Sequence, residues 1–140
     1  MNREPAYELF YDERCRLCRA TARTVLRLAP AGTILPVGLR SDRAREALSE
    51  ESEDERLGSF HLLAPDGRRW KGADAIPPLL ERLPRARRLG RVIRRSRVAS
   101  DATARAYGWV TRNRGWLGRF IPERWSRPVD TGDARGPSLS

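Results

Sequence analysis

Between Tyr7 and Leu39 the chain switches periodicity twice, and that switching constrains its fold more than any other feature. Tyr7-Glu8-Leu9-Phe10-Tyr11 is short and aromatic, which predicts a first strand. From Cys15 to Ala29 the apolar positions Leu17, Cys18, Ala22, Val25, Leu26 and Ala29 recur every three or four residues. Arg16, Arg19, Arg23 and Arg27 fall opposite them, the pattern of an amphipathic helix. Pro30-Ala31-Gly32 ends that helix, and Ile34-Leu35-Pro36-Val37-Gly38-Leu39 reads as a second strand, with Pro36 marking a bulge or a sheet edge. A strand, a helix of this length and another strand make a crossover unit, so a parallel pair is expected.

The rest of the chain extends this unit. Ser41-Asp42 to Leu48 predicts a short helix, and the acidic run Glu50 to Glu55 a solvated loop. Ser59-Phe60-His61-Leu62-Leu63 predicts a third strand. Pro65-Asp66-Gly67 is turn chemistry, and Arg69-Trp70-Lys71 completes a hairpin. Gly72 to Leu83 predicts a helix with Pro77 and Pro78 in its tolerant first turn, and Arg85–Arg97 and Ser100–Arg114 predict two more. In the last of these, Ala102, Ala106, Trp109, Val110 and Asn113 share a face. The order β-α-β-α-β-β-α followed by helices is the layout of an α/β, thioredoxin-like fold with additional C-terminal helices. At 140 residues one domain is expected, over 1–121, with 122–140 a flexible tail rich in Pro, Gly, Ser, Arg and Asp.

Two cysteines and one histidine exclude a disulfide-rich secreted scaffold and a four-ligand zinc site of cysteine and histidine within one chain. No stretch approaches the roughly 20 apolar residues of a membrane span, and the N-terminus lacks a signal-peptide core. The expectation is a cytoplasmic protein in a reducing compartment, where a close cysteine pair points to chemistry.

That pair is Cys15-Arg16-Leu17-Cys18. Its spacing puts both sulfurs on one side of a helix's first turn, within bonding reach. The free amides and dipole at a helix start favour a thiolate; Arg14, Arg16 and Arg19 add to this, while Asp12 opposes it. Thiol–disulfide exchange follows, with Cys15 as nucleophile and Cys18 resolving the mixed disulfide. Asp12 is placed either to cap the helix or to move a proton to and from Cys18. No cofactor is implied beyond a redox-active Cys15–Cys18 disulfide, and the partner would be a disulfide-containing protein or a small thiol substrate. Other readings of the pair are a zinc half-site completed by a second chain, or by His61 and an acid, and two inert core thiols. Haem attachment is excluded because Arg19, not histidine, follows Cys18.

Tyr11-Asp12-Glu13-Arg14-Cys15-Arg16-Leu17-Cys18 resembles the Asp-x-x-Cys-x-x-Cys signature of the DCC family (DUF393) of thiol–disulfide oxidoreductases. Pro65-Asp66-Gly67, Trp70-Lys71-Gly72-Ala73-Asp74-Ala75 and Ala106-Tyr107-Gly108-Trp109-Val110-Thr111-Arg112-Asn113-Arg114 are similar to further segments of that family. The resemblance covers about Tyr7 to Phe120. It implies a thioredoxin-like fold with Asp12, Cys15 and Cys18 as signature residues. Glu13 departs from the family's usual glycine, and no proline precedes Phe60 where thioredoxins carry their cis-proline.

Other residues have simpler expected roles. Asp74 reads as an N-cap or a neighbour of the dithiol, His61 as a structural histidine, and Tyr107, Trp109 and Trp116 as core contacts. Charge is uneven: residues 1–60 carry −1 and residues 61–140 carry +11, with seven arginines between Arg85 and Arg97. The alternative function is therefore a non-enzymatic binding module whose Arg-rich C-terminal helices hold nucleic acid, an anionic membrane surface or an acidic partner.

Overall fold

The computed structural model describes residues 6–126. Four strands, β1 (Tyr7–Tyr11), β2 (Ile34–Gly38), β3 (His61–Leu63) and β4 (Arg69–Lys71), form one mixed sheet in the order β2-β1-β3-β4. β1 pairs parallel with β2, Leu9 opposite Pro36, and antiparallel with β3, Leu9 opposite Leu62; β4 closes the antiparallel hairpin. The crossover between β1 and β2 is α1 (Arg16–Leu28). Pro36 lies on an edge strand, where a missing amide removes no ladder bond on the open side. This is the α/β, thioredoxin-like arrangement expected from the element order, with extra C-terminal helices.

Alternation along β1 sends side chains into two layers. Leu9 and Tyr11 join Ala22 and Val25 of α1, Ile34, Leu62, and Leu79 of α4 (Ile76–Glu81) in one core. Phe10 points the other way, into Val37, Leu39, and Ala44 of α2 (Asp42–Ala47), with Leu48 beside them. β1 is buried on both faces, which is why its sequence is nearly unbroken apolar residue rather than strict alternation.

Three expectations change. The acidic loop contains a helix, α3 (Glu53–Gly58), started by a reciprocal capping box: the Ser52 hydroxyl accepts from Glu55 N and the Glu55 carboxylate accepts from Ser52 N. Its acids sit in the first turn, where the helix dipole favours them. The segment expected as one helix from Gly72 is a 3₁₀ turn (Gly72–Ala75) leading into α4, because two prolines remove amides at the start. Past position 121, Glu123–Ser126 form a further 3₁₀ turn beside α1, and residues 127–140 of the expected tail lie outside the described residues.

Two helices carry the chain around the sheet's end. α5 (Arg87–Arg95) buries Gly90 and Ile93, and α6 (Arg97–Arg112) begins at Ser96, whose hydroxyl accepts from Ala99 N. Gly90 weakens α5 by propensity, but packing requires it. A methyl group there would stand 2.7 Å from Pro77 O and 3.0 Å from Glu81 N, both backbone atoms of α4. Gly90→Ala should therefore force the two helices apart and cost about 1–2 kcal/mol, read from urea unfolding midpoints at unchanged slope. Among the described residues no helix is long and apolar enough to cross a membrane.

The expected inward face of α6 is rotated. Tyr107 sets the phase: its ring packs on Phe60, centroids 5.6 Å apart, and its hydroxyl accepts from Phe60 N at 3.4 Å. Thr103 and Tyr107 consequently face inward, while Ala102, Ala106 and Trp109 are exposed. Tyr107 is a core contact as expected; Trp109 and Trp116 are not, being 49% and 52% exposed.

Candidate active site

β1 ends at Tyr11, and the next four residues turn the chain into α1. Cys15 N donates to Asp12 O at 3.1 Å, and the Asp12 carboxylate accepts from Arg14 N at 3.0 Å. This local turn leaves Cys15 extended, at φ −95° and ψ 123°, as the N-cap of α1. Its Sγ accepts from Cys18 N at 3.3 Å, taking the place a serine or aspartate oxygen usually fills. The sequence offered Asp12 as the cap; the residue that caps is Cys15, because Asp12 is spent on the turn before it. Both thiols are free and partly exposed.

The two sulfurs titrate very differently. A hydrogen bond from the Cys18 thiol, helped by the Cys18 backbone amide and Arg114, lowers the Cys15 thiol to about 6 against the opposing effects of burial and Asp12. Cys18, which donates that bond and is more deeply buried, is pushed up out of the working range. The helix N-terminus is thus committed to one sulfur, and the second serves as its proton donor.

Arginine acts here as expected, but through a different residue. The guanidinium nearest the sulfurs belongs to Arg114, at the start of α7 (Arg114–Gly118). Its Nη1 lies 3.9 Å from Cys18 Sγ and its Nη2 3.9 Å from Asp12 Oδ2. Arg19, expected to favour the thiolate, donates instead to Glu13 O at 2.8 Å. At Cys15 the favourable effect of Arg114 exceeds the opposing effect of Asp12.

Asp12 is 7% exposed and is held by Arg40, whose Nη1 donates to Oδ1. Arg40 in turn is tied to Glu13: its backbone N donates to the Glu13 carboxylate at 3.2 Å. The Glu13 carboxylate lies against Gly38, where a methyl group would displace it. Glu13 thus laces the β1–α1 turn to the residue that follows β2. Neither Arg40 nor Arg114 was singled out from the sequence. Arg114 lay within the segment resembling the family's C-terminal helix, whereas nothing local marks Arg40.

The remaining candidates lie elsewhere. His61 is buried, and its Nε2 is 3.1 Å from Arg56 O, so its ring is engaged in the second core. Burial holds it below the usual histidine range. Asp74 is exposed in the 3₁₀ turn, caps nothing, and borders a groove of about 450 Å³ with Trp70, Ile93 and Thr103 rather than the dithiol. Gly72 takes φ +59° beside the Tyr107 ring, as its expected turn role requires. Among the described residues, no three of His, Cys, Asp or Glu gather as a metal site would need.

Across residues 9–120 the chain matches the family model described as DCC1-like thiol-disulfide oxidoreductase. Comparison with curated proteins and with solved structures gave no match.

Proposed function

The chain belongs to the DCC1-like thiol-disulfide oxidoreductase family, and from that membership we propose that Cys15 is the attacking thiolate and Cys18 the resolving thiol of a disulfide exchange. The observation that carries this reading is the N-cap geometry, in which Cys15 Sγ receives the Cys18 amide at the start of α1. A sulfur so placed is ionised near neutrality and still reachable from solvent.

The exchange balances within the dithiol. Cys15 thiolate attacks one sulfur of a substrate disulfide, forming a mixed disulfide and expelling the other sulfur as a thiolate. Once Cys15 is bonded, the Cys18 thiol no longer has a thiolate to hydrogen-bond, so the effect that raised it most disappears. Cys18 then loses its proton, and its sulfur displaces the second substrate sulfur from Cys15. Two electrons pass to the substrate, whose two sulfurs leave as thiolates and take up protons, one released by Cys18 and the other from water, and a Cys15–Cys18 disulfide remains. Asp12 is the carboxylate near Cys18 suited to receive that proton, with Arg40 and Arg114 fixing its position. A separate thiol reductant would regenerate the dithiol.

Alkylation of the reduced protein across pH, followed by peptide mass, tests the assignment. Cys15 should react with a midpoint near 6 and Cys18 should stay protected well past neutrality. Two equal midpoints in the ordinary thiol range, about 8.5, would refute it.

A further inference from the structure

Resting on that dithiol reading, we propose that the outer face of α7 is a docking surface for an acidic segment of a disulfide-bearing protein. α7 crosses the first turn of α1 at close range: a methyl at Gly118 would lie 3.3 Å from Arg16 Cβ, and Arg114 reaches Cys18. Anything seated on α7 is therefore close to the dithiol. The outward side of this element is aromatic. Trp116 and Phe120 pair edge to face, with centroids 5.1 Å apart, yet remain 52% and 69% exposed. Exposed aromatic pairs of this kind serve as apolar anchors in protein recognition.

Charge selects the occupant. Residues 102–122 contain four arginines and no aspartate or glutamate, and Arg14 and Arg119 are exposed. Asp12 and Glu13 share Arg40, and Asp12 also faces Arg114, so these four charges cancel and the surplus rests on the remaining arginines. A substrate approaching Cys15 meets arginine and aromatic surface together, which suits carboxylates flanking a disulfide.

The test uses the reduced full chain in single-turnover exchange with two synthetic peptides. Both carry the same disulfide loop, one flanked by glutamates and the other by lysines; a small uncharged disulfide is the control. The acidic peptide should react roughly tenfold faster at low salt, and the advantage should fade by about 0.5 M salt. Arg119→Glu should remove most of that preference, and Trp116→Ser with Phe120→Ser should slow the acidic peptide, both leaving the uncharged disulfide unaffected. Equal rates for the two peptides, or a preference that survives both variants, would overturn the proposal. Binding to phosphatidylserine vesicles that the same variants abolish, without any peptide preference, would reassign the face to a membrane. An inert dithiol even towards the uncharged disulfide would instead remove the reading on which the docking face rests.

Discussion

Cys18→Ser should convert the protein into a trap, forming one stable mixed disulfide per chain with a substrate disulfide and completing no second step. The serine hydroxyl can still donate to Cys15 Sγ, and the backbone amide at position 18 is untouched, so the attacking thiolate is retained. What disappears is the sulfur that displaces the product. Cys15→Ser should behave in the opposite way. It leaves Cys18 alone, more deeply buried and with no sulfur to bond; its thiolate fraction at pH 7 stays small, and exchange should fall by about a thousandfold. Intact mass spectrometry after a single addition of substrate separates the outcomes. An adduct on Cys15→Ser, with none on Cys18→Ser, would reverse the two roles.

The placing of the cysteine pair at the start of α1 was legible in the sequence because it is local. Strand Tyr7–Tyr11, the periodicity from Leu17 to Ala29 and the Cys-x-x-Cys spacing all lie within one crossover unit, where the chain itself sets which group meets the helix start. Even the missed helix α3 had a local mark, Ser52 with Glu55 three residues on, which the run of acids obscured. Arg114 is different. It reaches Cys18 from 96 residues away only because α6 turns at Asn113 and α7 folds back over α1. Arg40 likewise meets Asp12 because β2 is parallel to β1, so the end of one strand delivers its following residue beside the end of the other. The phase of α6 departs from its apolar periodicity for the same kind of reason: the Phe60–Tyr107 contact decides which face turns inward, and no periodicity within the helix contains Phe60. Proximity across the sheet's end is a tertiary product, and it supplied the residues that tune the thiol rather than the thiol itself.

The reduced protein should become more stable as pH rises from about 6 towards the ordinary thiol range, and the oxidised protein should not share that rise. Folding lowers the Cys15 thiol to about 6, whereas in the unfolded chain it ionises near its ordinary value. Between those limits the unfolded state binds more protons, so the free energy of unfolding increases with pH. The gain is lost as pH falls through 6, and above about 8.5 Cys18 opposes it, because folding raises that thiol and keeps it protonated where the unfolded chain ionises. Its size should be roughly 2 kcal/mol, discounted for the water that reaches the partly exposed sulfur. His61 also contributes a loss of stability on acidification, since burial keeps its ring neutral until the pH drops below the usual histidine range. That loss is common to both redox forms, so the difference between urea unfolding curves of reduced and oxidised protein isolates the thiol. A difference that stays flat from pH 6 to 9 would show that Cys15 is not ionised by the fold. The same stabilisation has a redox consequence. A thiolate held by the Cys18 thiol, the Cys18 amide and Arg114 favours the reduced form, so its disulfide should be a stronger oxidant than that of thioredoxin, with a potential above about −270 mV in glutathione equilibrium. Arg114→Gln should move that potential back towards the reducing side and raise the alkylation midpoint of Cys15, because it removes a cation that favours the Cys15 thiolate against Asp12.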